Sequence, residues 1–301
     1  MNASLSAQNA SRLAIATFVI AVIVVGAYFL MHPPSGPSSA GAAFVARGFP
    51  AEAFMSIGPD GSIHTVEIPE GDTEDYASAA GKTYAIVRDE GGGFDVLRLA
   101  DGARLTEDGA RKAALDISDD GAWLAYAALT NLEPGEDRNP SSWTVFVLEV
   151  ATGEATPVGE GYAPQFFMSD ATLMVLFTSS SGIGFANPAE RTSTVFNHSL
   201  PGDIAFPAAI SPDGKYFAKK REGDPAYAVY EVVAPLPDID TRPLFTTAAV
   251  GGTVAFVEGR LLELSSEADG RAILSAYPVG GGEPMPLAEL PASEVEYRLL
   301  P

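Results

Sequence analysis

The chain predicts an all-β protein built from repeated four-stranded units, and three observations carry that prediction. First, a tight turn, Ser211-Pro212-Asp213-Gly214, sits between two short β-rich runs. Pro212 pre-sets φ, Asp213 can accept from its own backbone, and Gly214 tolerates positive φ. Second, degraded copies of that turn recur: "DISDDGAWLAYAA" at 116 to 128, "MSIGPDGSIHTV" at 55 to 66, and weaker echoes at 77 to 87, 166 to 177 and 247 to 257. Taking Gly61, Gly81, Gly121, Asp170, Gly214 and Gly251 as marks, the gaps are 20, 40, 49, 44 and 37 residues, and four of the five lie near the period of a propeller blade (about 40–45 residues). Third, each period holds a second hairpin, such as "FDVLRLADGARLTE" (94 to 107) and "SSWTVFVLEVATGEATPV" (141 to 158). Short, evenly spaced strands with turn signals, and no amphipathic helix after the N-terminus, predict a β-propeller of about six four-stranded blades, with five to seven as bounds. A β-sandwich with several hairpins is the competing reading, but it predicts no fixed period.

Taken in order, residues 1–12 read as a short cytoplasmic tail. Residues 13–31, "LAIATFVIAVIVVGAYFLM", carry no charge, and at ~1.5 Å per residue a helix there spans close to the ~30 Å apolar layer of a bilayer. This predicts one transmembrane α-helix. A cleaved signal peptide is the alternative, although its apolar region is usually shorter, roughly 7–15 residues. Arg12 precedes the run and no basic residue follows until Arg47, which orients the N-terminus to the cytoplasm. Everything after the run is then expected outside, periplasmic or extracellular. Residues 32–48 read as a Pro/Ser/Gly-rich linker, and 49–301 as the propeller domain. Residues 50 to 68 read as part of one blade, which the alternating stretch "SEVEYRLL" (293 to 300) would complete, removing the exposed sheet edges.

The Ser-Pro-Asp-Gly turn followed by an apolar strand resembles the repeat of TolB-type and WD-repeat-like β-propellers. The residues that carry the likeness are Ser211 to Gly214, Asp120-Gly121 and Pro59-Asp60-Gly61, and it covers roughly residues 50 to 290. The Trp-Asp dipeptide of true WD repeats is absent, so the TolB side is preferred. The resemblance implies a partner-binding module in an envelope assembly.

Charge narrows the partners. The chain carries −21, and the part after the apolar run carries −22, because only Arg12 precedes it. Such a field repels nucleic acid and anionic lipid headgroups. With no cysteine there is no disulfide, thiolate metal site or lipidated cysteine. The sequence holds no Gly-x-Ser-x-Gly elbow, His-Glu-x-x-His, Walker loop or dinucleotide fingerprint, so no catalytic, cofactor-binding or metal-binding residue is named. His32, His64 and His198 are far apart and read as solvated or packed. The acidic runs "GDTED" (71 to 75), "DEGGGFD" (89 to 95), "EPGEDRNP" (133 to 140) and "PDID" (237 to 240) read as turns or solvated loops rather than calcium loops. Trp123, Trp143, Tyr126 and Phe146 read as core. The longest insertion, 131 to 142, offers Glu133, Glu136, Asp137 and Arg138 as the candidate partner-binding loop.

The sequence therefore predicts a membrane-anchored, extracytoplasmic propeller acting as a protein-binding or scaffold module, without cofactor. One alternative is a lyase- or lactonase-like enzyme with a metal in the propeller channel, which requires carboxylates, His or Arg converging on the axis. Another is a structural subunit of a membrane complex, docking through the apolar helix.

Overall fold

β-Branched and aromatic runs, cut every five to eight residues by Gly, Asp or Pro, leave the chain little choice but short antiparallel strands. The computed structural model describes residues 43–47, 53–66, 72–130, 139–196, 207–220, 226–234, 240–247, 252–293 and 297–300. Among them are six four-stranded antiparallel sheets. The first blade contains β1 (Ala43–Arg47), β2 (Ala53–Ile57) and β3 (Ile63–Val66). The second contains β4 (Thr73–Ala79), β5 (Lys82–Arg88), β6 (Phe94–Arg98) and β7 (Ala103–Arg104). The third contains β8 (Lys112–Ile117), β9 (Trp123–Leu129), β10 (Trp143–Glu149) and β11 (Glu154–Glu160). The fourth contains β12 (Tyr162–Ser169), β13 (Thr172–Ser179), β14 (Gly182–Asn187) and β15 (Thr192–Phe196). The fifth contains β16 (Ala209–Ile210), β17 (Tyr216–Lys220), β18 (Tyr227–Ala234) and β19 (Asp240–Thr246). The sixth contains β20 (Thr253–Val257), β21 (Arg260–Ser266), β22 (Ala272–Pro278) and β23 (Met285–Leu290). The last strand, β24 (Tyr297–Leu299), pairs with β1 and becomes the inner strand of the first blade, as the alternating stretch at 293 to 300 predicts.

The first strands of successive blades lie against one another, so β24, β4, β8, β12, β16 and β20 form the inner ring. This is the architecture expected of a six-bladed propeller, and two stacked layers are not what the sheets form. The apolar core is divided in the same way, with at least one cluster at each junction. Leu124, Tyr126 and Ala128 of β9 join Tyr84, Ile86 and Leu115 in the cluster between the second and third blades. Ala125, between them in sequence, joins Val175 and Phe177 in the cluster between the third and fourth. Period-two alternation therefore sends successive side chains to opposite neighbours, and both are buried. The same logic explains β17, where Phe217 and Ala218 are both buried rather than alternating in and out. Trp143 and Tyr126 are core residues, and Tyr126 stacks on Phe146 at 5.5 Å.

Two turns share one local design. Asp213 accepts from the Ser211 hydroxyl and the Lys215 N–H, while the Ser211 hydroxyl accepts from the Tyr216 N–H. Asp120, Ser118, Ala122 and Trp123 repeat this between β8 and β9. Gly214 has φ +69, and a Cβ there would lie 2.3 Å from the Met168 carbonyl oxygen, so glycine is required by both conformation and space.

Three expectations are corrected. Pro59-Asp60-Gly61 joins the third and fourth strands of its blade, whereas Ser211 to Gly214 joins the first and second. Both hairpins demand the same turn chemistry, so the motif alone cannot say which one it closes. In the sixth blade the first turn is Glu258-Gly259, not Gly251, and Gly251 itself lies outside the described residues. The first-turn marks Gly81, Gly121, Asp170, Gly214 and Gly259 are 40, 49, 44 and 45 residues apart, a more even spacing than the sequence marks gave. Finally, β1 falls within the residues assigned to the linker, so the blades begin before residue 49. The expected tail, apolar helix and remaining linker, residues 1–42, lie outside the described residues. Among the described residues no helix is long and apolar enough to cross a membrane.

Candidate functional site at the axis

The inner strands carry the most concentrated polar chemistry in the described chain. Backbone bulges start three of them. Register shifts fall between Thr73 and Asp75, between Ala113 and Asp116, and between Tyr162 and Gln165. A bulge re-aims the side chains that follow it. Here it directs Asp75, Asp116 and Gln165 onto the next blade. Asp75 Oδ2 accepts from the Leu115 N–H at 3.2 Å, and Asp116 Oδ2 accepts from the Phe166 N–H at 2.6 Å. Gln165 accepts from the Ile210 N–H and donates to the Ala208 carbonyl, both at 3.2 Å. Thr253 Oγ1 accepts from the Leu299 N–H at 3.3 Å. Arg298 closes the circle by donating to the Glu74 carbonyl and pairing with Asp75 at 3.6 Å. Each residue reaches forward to the following inner strand. Among the described residues, only the step from β16 to β20 shows no such bond.

At the end where these strands begin, side chains from four blades come within electrostatic range of one another. Arg298 comes from the first blade, Glu74 and Asp75 from the second, Arg111 from just before β8 in the third, and Tyr162 from the start of β12 in the fourth. The first and fourth blades face each other across a six-membered ring. The Tyr162 hydroxyl nevertheless lies within electrostatic range of Arg298, Asp75, Glu74 and Arg111. Burial pushes that hydroxyl up to about 12. Tyr162 meets the Trp143 ring edge-on at 5.1 Å, and the Arg111 guanidinium lies 5.9 Å above the same ring, within cation–π range.

Desolvation dominates the carboxyls. Glu74 is 4% exposed and its carboxyl is raised by burial, against the pull of Arg298 and Arg111. Asp75 is raised by burial, against Arg298 and the N–H donors of Tyr76, Leu115 and Ala114. Burial carries Asp116 up to about 7, opposed by the N–H groups of Phe166 and Ile117. The Asp75 and Asp116 oxygens thus hold backbone N–H groups. Glu74 differs: its Oε2 is buried with no hydrogen-bond partner, as is Thr73 Oγ1 beside it.

The stretch "GDTED" does not form the turn or solvated loop that its composition predicts. Thr73, Glu74 and Asp75 open an inner strand and are buried. The available signal was that "TEDYASA" leads directly into a first-turn glycine, the position of an inner strand in every period. By contrast, "DEGGGFD" is a hairpin tip as expected, with Asp89 accepting from the Gly93 N–H at 2.8 Å. His64 is exposed on β3, while His32 and His198 lie outside the described residues. Glu133, Glu136, Asp137 and Arg138 also lie outside them. Their described flanks meet at the Arg111 end of the third blade, where Leu129 N–H donates to the Arg111 carbonyl and Thr130 N–H to the Ser142 carbonyl. Among the described residues no three His, Asp or Glu side chains are grouped to hold a metal. Carboxylates and arginines lie together at this end, as the axial-enzyme alternative requires.

No protein-family model matches the chain, and no curated protein sequence matches it. Among solved structures it is similar to TolB from Acinetobacter baumannii, with a TM-score of 0.58 and 17% identity over 90% of this chain and 68% of that one. At that identity the likeness is one of fold: a TolB-like β-propeller.

Proposed function

We propose that this chain is a membrane-anchored, extracytoplasmic propeller that docks a protein partner on the axial end carrying Arg298, Glu74, Arg111 and Tyr162. The observation behind this reading is the convergence of those four side chains from four blades at one end of the ring. Three things support it. The TolB-like fold is a platform whose loops and axis present a recognition surface. The uncharged run at 13–31 is long enough to span a bilayer as a helix. The net charge of −21 disfavours nucleic acid and anionic membrane surfaces as the ligand.

The test places a photo-crosslinking residue at position 130, exposed at the Arg111 end of the third blade, or at position 154, and irradiates intact membranes. Glu154 lies on the outer strand β11, at the opposite end of its blade. One protein captured in stoichiometric amount from position 130 and not from 154 is the expected result. Equal capture from both, or from neither, overturns it. Alkaline extraction of the same membranes tests the anchor: the chain stays in the pellet if 13–31 spans the bilayer and is released if that run is absent from the mature protein. An axial enzyme with a channel metal is the second reading, favoured by the charged axial end; stoichiometric metal in the purified protein, with no captured partner, would support it.

A further inference from the structure

Asp-Gly steps close turns at Asp60, Asp101, Asp108, Asp120, Asp213 and Asp269. In each, the carboxylate accepts from the N–H two residues on, and the glycine has positive φ. Asp-Gly is also the dipeptide most open to succinimide formation, because glycine has no Cβ to shield its nitrogen. The six turns differ in what holds that nitrogen. The N–H groups of Gly61, Gly102, Gly121, Gly214 and Gly270 donate to carbonyls three or four residues back, at 2.7–3.0 Å. Among the described residues the Gly109 N–H has no such acceptor, and Gly109 is exposed. A hydrogen-bonded N–H gives up its proton only when the bond opens, so five nitrogens are protected and that of Gly109 is not. The five protected turns also hold their carboxyls in the less reactive, ionised form. Hydrogen bonds from Ser62, Arg98, Ser118 and Arg271 keep Asp60, Asp101, Asp120 and Asp269 below the ordinary carboxylate range. Burial raises Asp213, but bonds from Lys215 and Ser211 outweigh it and leave that carboxyl lowered too. At Asp108 the Lys112 ammonium rests against Oδ1, where a leaving oxygen needs a proton.

We infer that Asp108 is a site of spontaneous modification to isoaspartate, set apart from five other Asp-Gly turns by the unbonded N–H of Gly109. The Gly109 nitrogen attacks Asp108 Cγ, and an N–Cγ bond forms as the Cγ–Oδ1 bond breaks. Oδ1 leaves as water, with the proton from Gly109 and one from Lys112, which regains its own from solvent. Water then adds to the main-chain carbonyl of the succinimide, and the original peptide bond breaks. The chain now runs through Cγ, the old carbonyl is a free carboxylate, and the mass is unchanged. The consequence falls on Lys112, which is fully buried and also donates to the Phe94 carbonyl at 2.8 Å and the Ala110 carbonyl at 3.3 Å. Asp95, within electrostatic range of Lys112, pairs with Arg104 at 2.9 Å. Isomerisation lengthens the main chain by one methylene and carries the carboxylate away from the ammonium. A buried charge that loses its partner is destabilising. The bond to Phe94 closes the outer edge of the second blade, where β7 has two residues, so that edge loosens with age. This inference stands apart from the docking proposal.

The experiment incubates the full chain in detergent at 37 °C and neutral pH for several weeks, with a parallel sample in concentrated urea. Each is then digested, and isoaspartate at the six positions is measured by electron-transfer fragmentation, which separates the two isomers. In the folded chain, position 108 should accumulate isoaspartate at least fivefold faster than any of the other five. In urea the six rates should converge to within about threefold, because the turns that distinguish them are gone. The aged fraction carrying isoaspartate at 108 should show a lower urea midpoint than the fresh chain. Asp108→Glu, which keeps a carboxylate but would have to close a slower six-membered ring, should hold its midpoint through the same incubation. Isoaspartate at none of the positions, equal rates at all six in the folded chain, or a faster rate at another position overturns the inference. A spread in urea as wide as in the folded chain does so as well, since flanking sequence and not the fold would then set the rates. An unchanged midpoint in the modified fraction, or an equal loss in Asp108→Glu, overturns the role given to Lys112.

Discussion

The third and fifth blades hold the same place in the ring by unequal means. In the third, the inner strand β8 has six residues, and its carboxylate Asp116 reaches the fourth blade. In the fifth, β16 has two residues, and the fourth blade grips it from outside: Gln165 takes both the Ile210 N–H and the Ala208 carbonyl, and Thr178 Oγ1 accepts from the Ala208 N–H. A strand too short to satisfy its own backbone is completed by its neighbour's side chains. The second blade applies the same remedy on its outer edge. Its fourth strand, β7, has only two residues, so Thr106 Oγ1 accepts from the Val96 N–H and the buried Lys112 ammonium donates to the Phe94 carbonyl. Pairing is thus a supply of donors and acceptors that side chains can replace.

Four changes break or sharpen this contrast. The largest effect is expected where apolar packing, not side-chain bridging, holds the ring. Leu124→Ala, in the cluster between the second and third blades, should cost about 3 kcal/mol, within the usual range for buried Leu→Ala, as a lower urea midpoint. Next, Gln165→Leu strands the Ile210 N–H of β16 and the Ala208 carbonyl just before it and should cost roughly 2 kcal/mol, with faster amide exchange at Ile210 and no change at Leu115; slow exchange at Ile210 would mean that the fifth blade does not depend on its neighbour.

Asp116→Asn gives a smaller, pH-dependent effect. The carboxyl is raised from 3.8 to about 7 in the folded protein, so its contribution to stability is greatest below the unfolded value and declines as pH rises toward 7. The wild-type urea midpoint should fall between pH 5 and pH 8, and the variant's should fall less; parallel curves would refute that assignment. Asp60, Asp101 and Asp120, each lowered by hydrogen bonds at its turn, act in the opposite sense and destabilise the fold only in more acidic solution. The smallest effect is expected from Lys215→Ala, which removes an exposed ion pair with Asp213 and should leave the midpoint unchanged.

Fold class and blade number were legible because the turn chemistry repeats at fixed spacing and the strands are short. The register was less so, since Asp60-Gly61 and Asp213-Gly214 close different hairpins with the same hydrogen bonds. The axial site was not legible. Glu74 and Asp75 look like any solvated acidic pair in one dimension, and only closure of the ring sets them beside Arg298, 224 residues away from Glu74. Arg111 and Tyr162 carry no motif at all. Convergence at an axis is produced by long-range assembly, which local spacing does not encode.

The pairing of β24 with β1 orders events in time. β1 leaves the ribosome well before its partner edge, β24. Until Tyr297–Leu299 arrives, Val45 and Ala46 lack the strand that covers them, and the first blade offers an open template to any other extended chain.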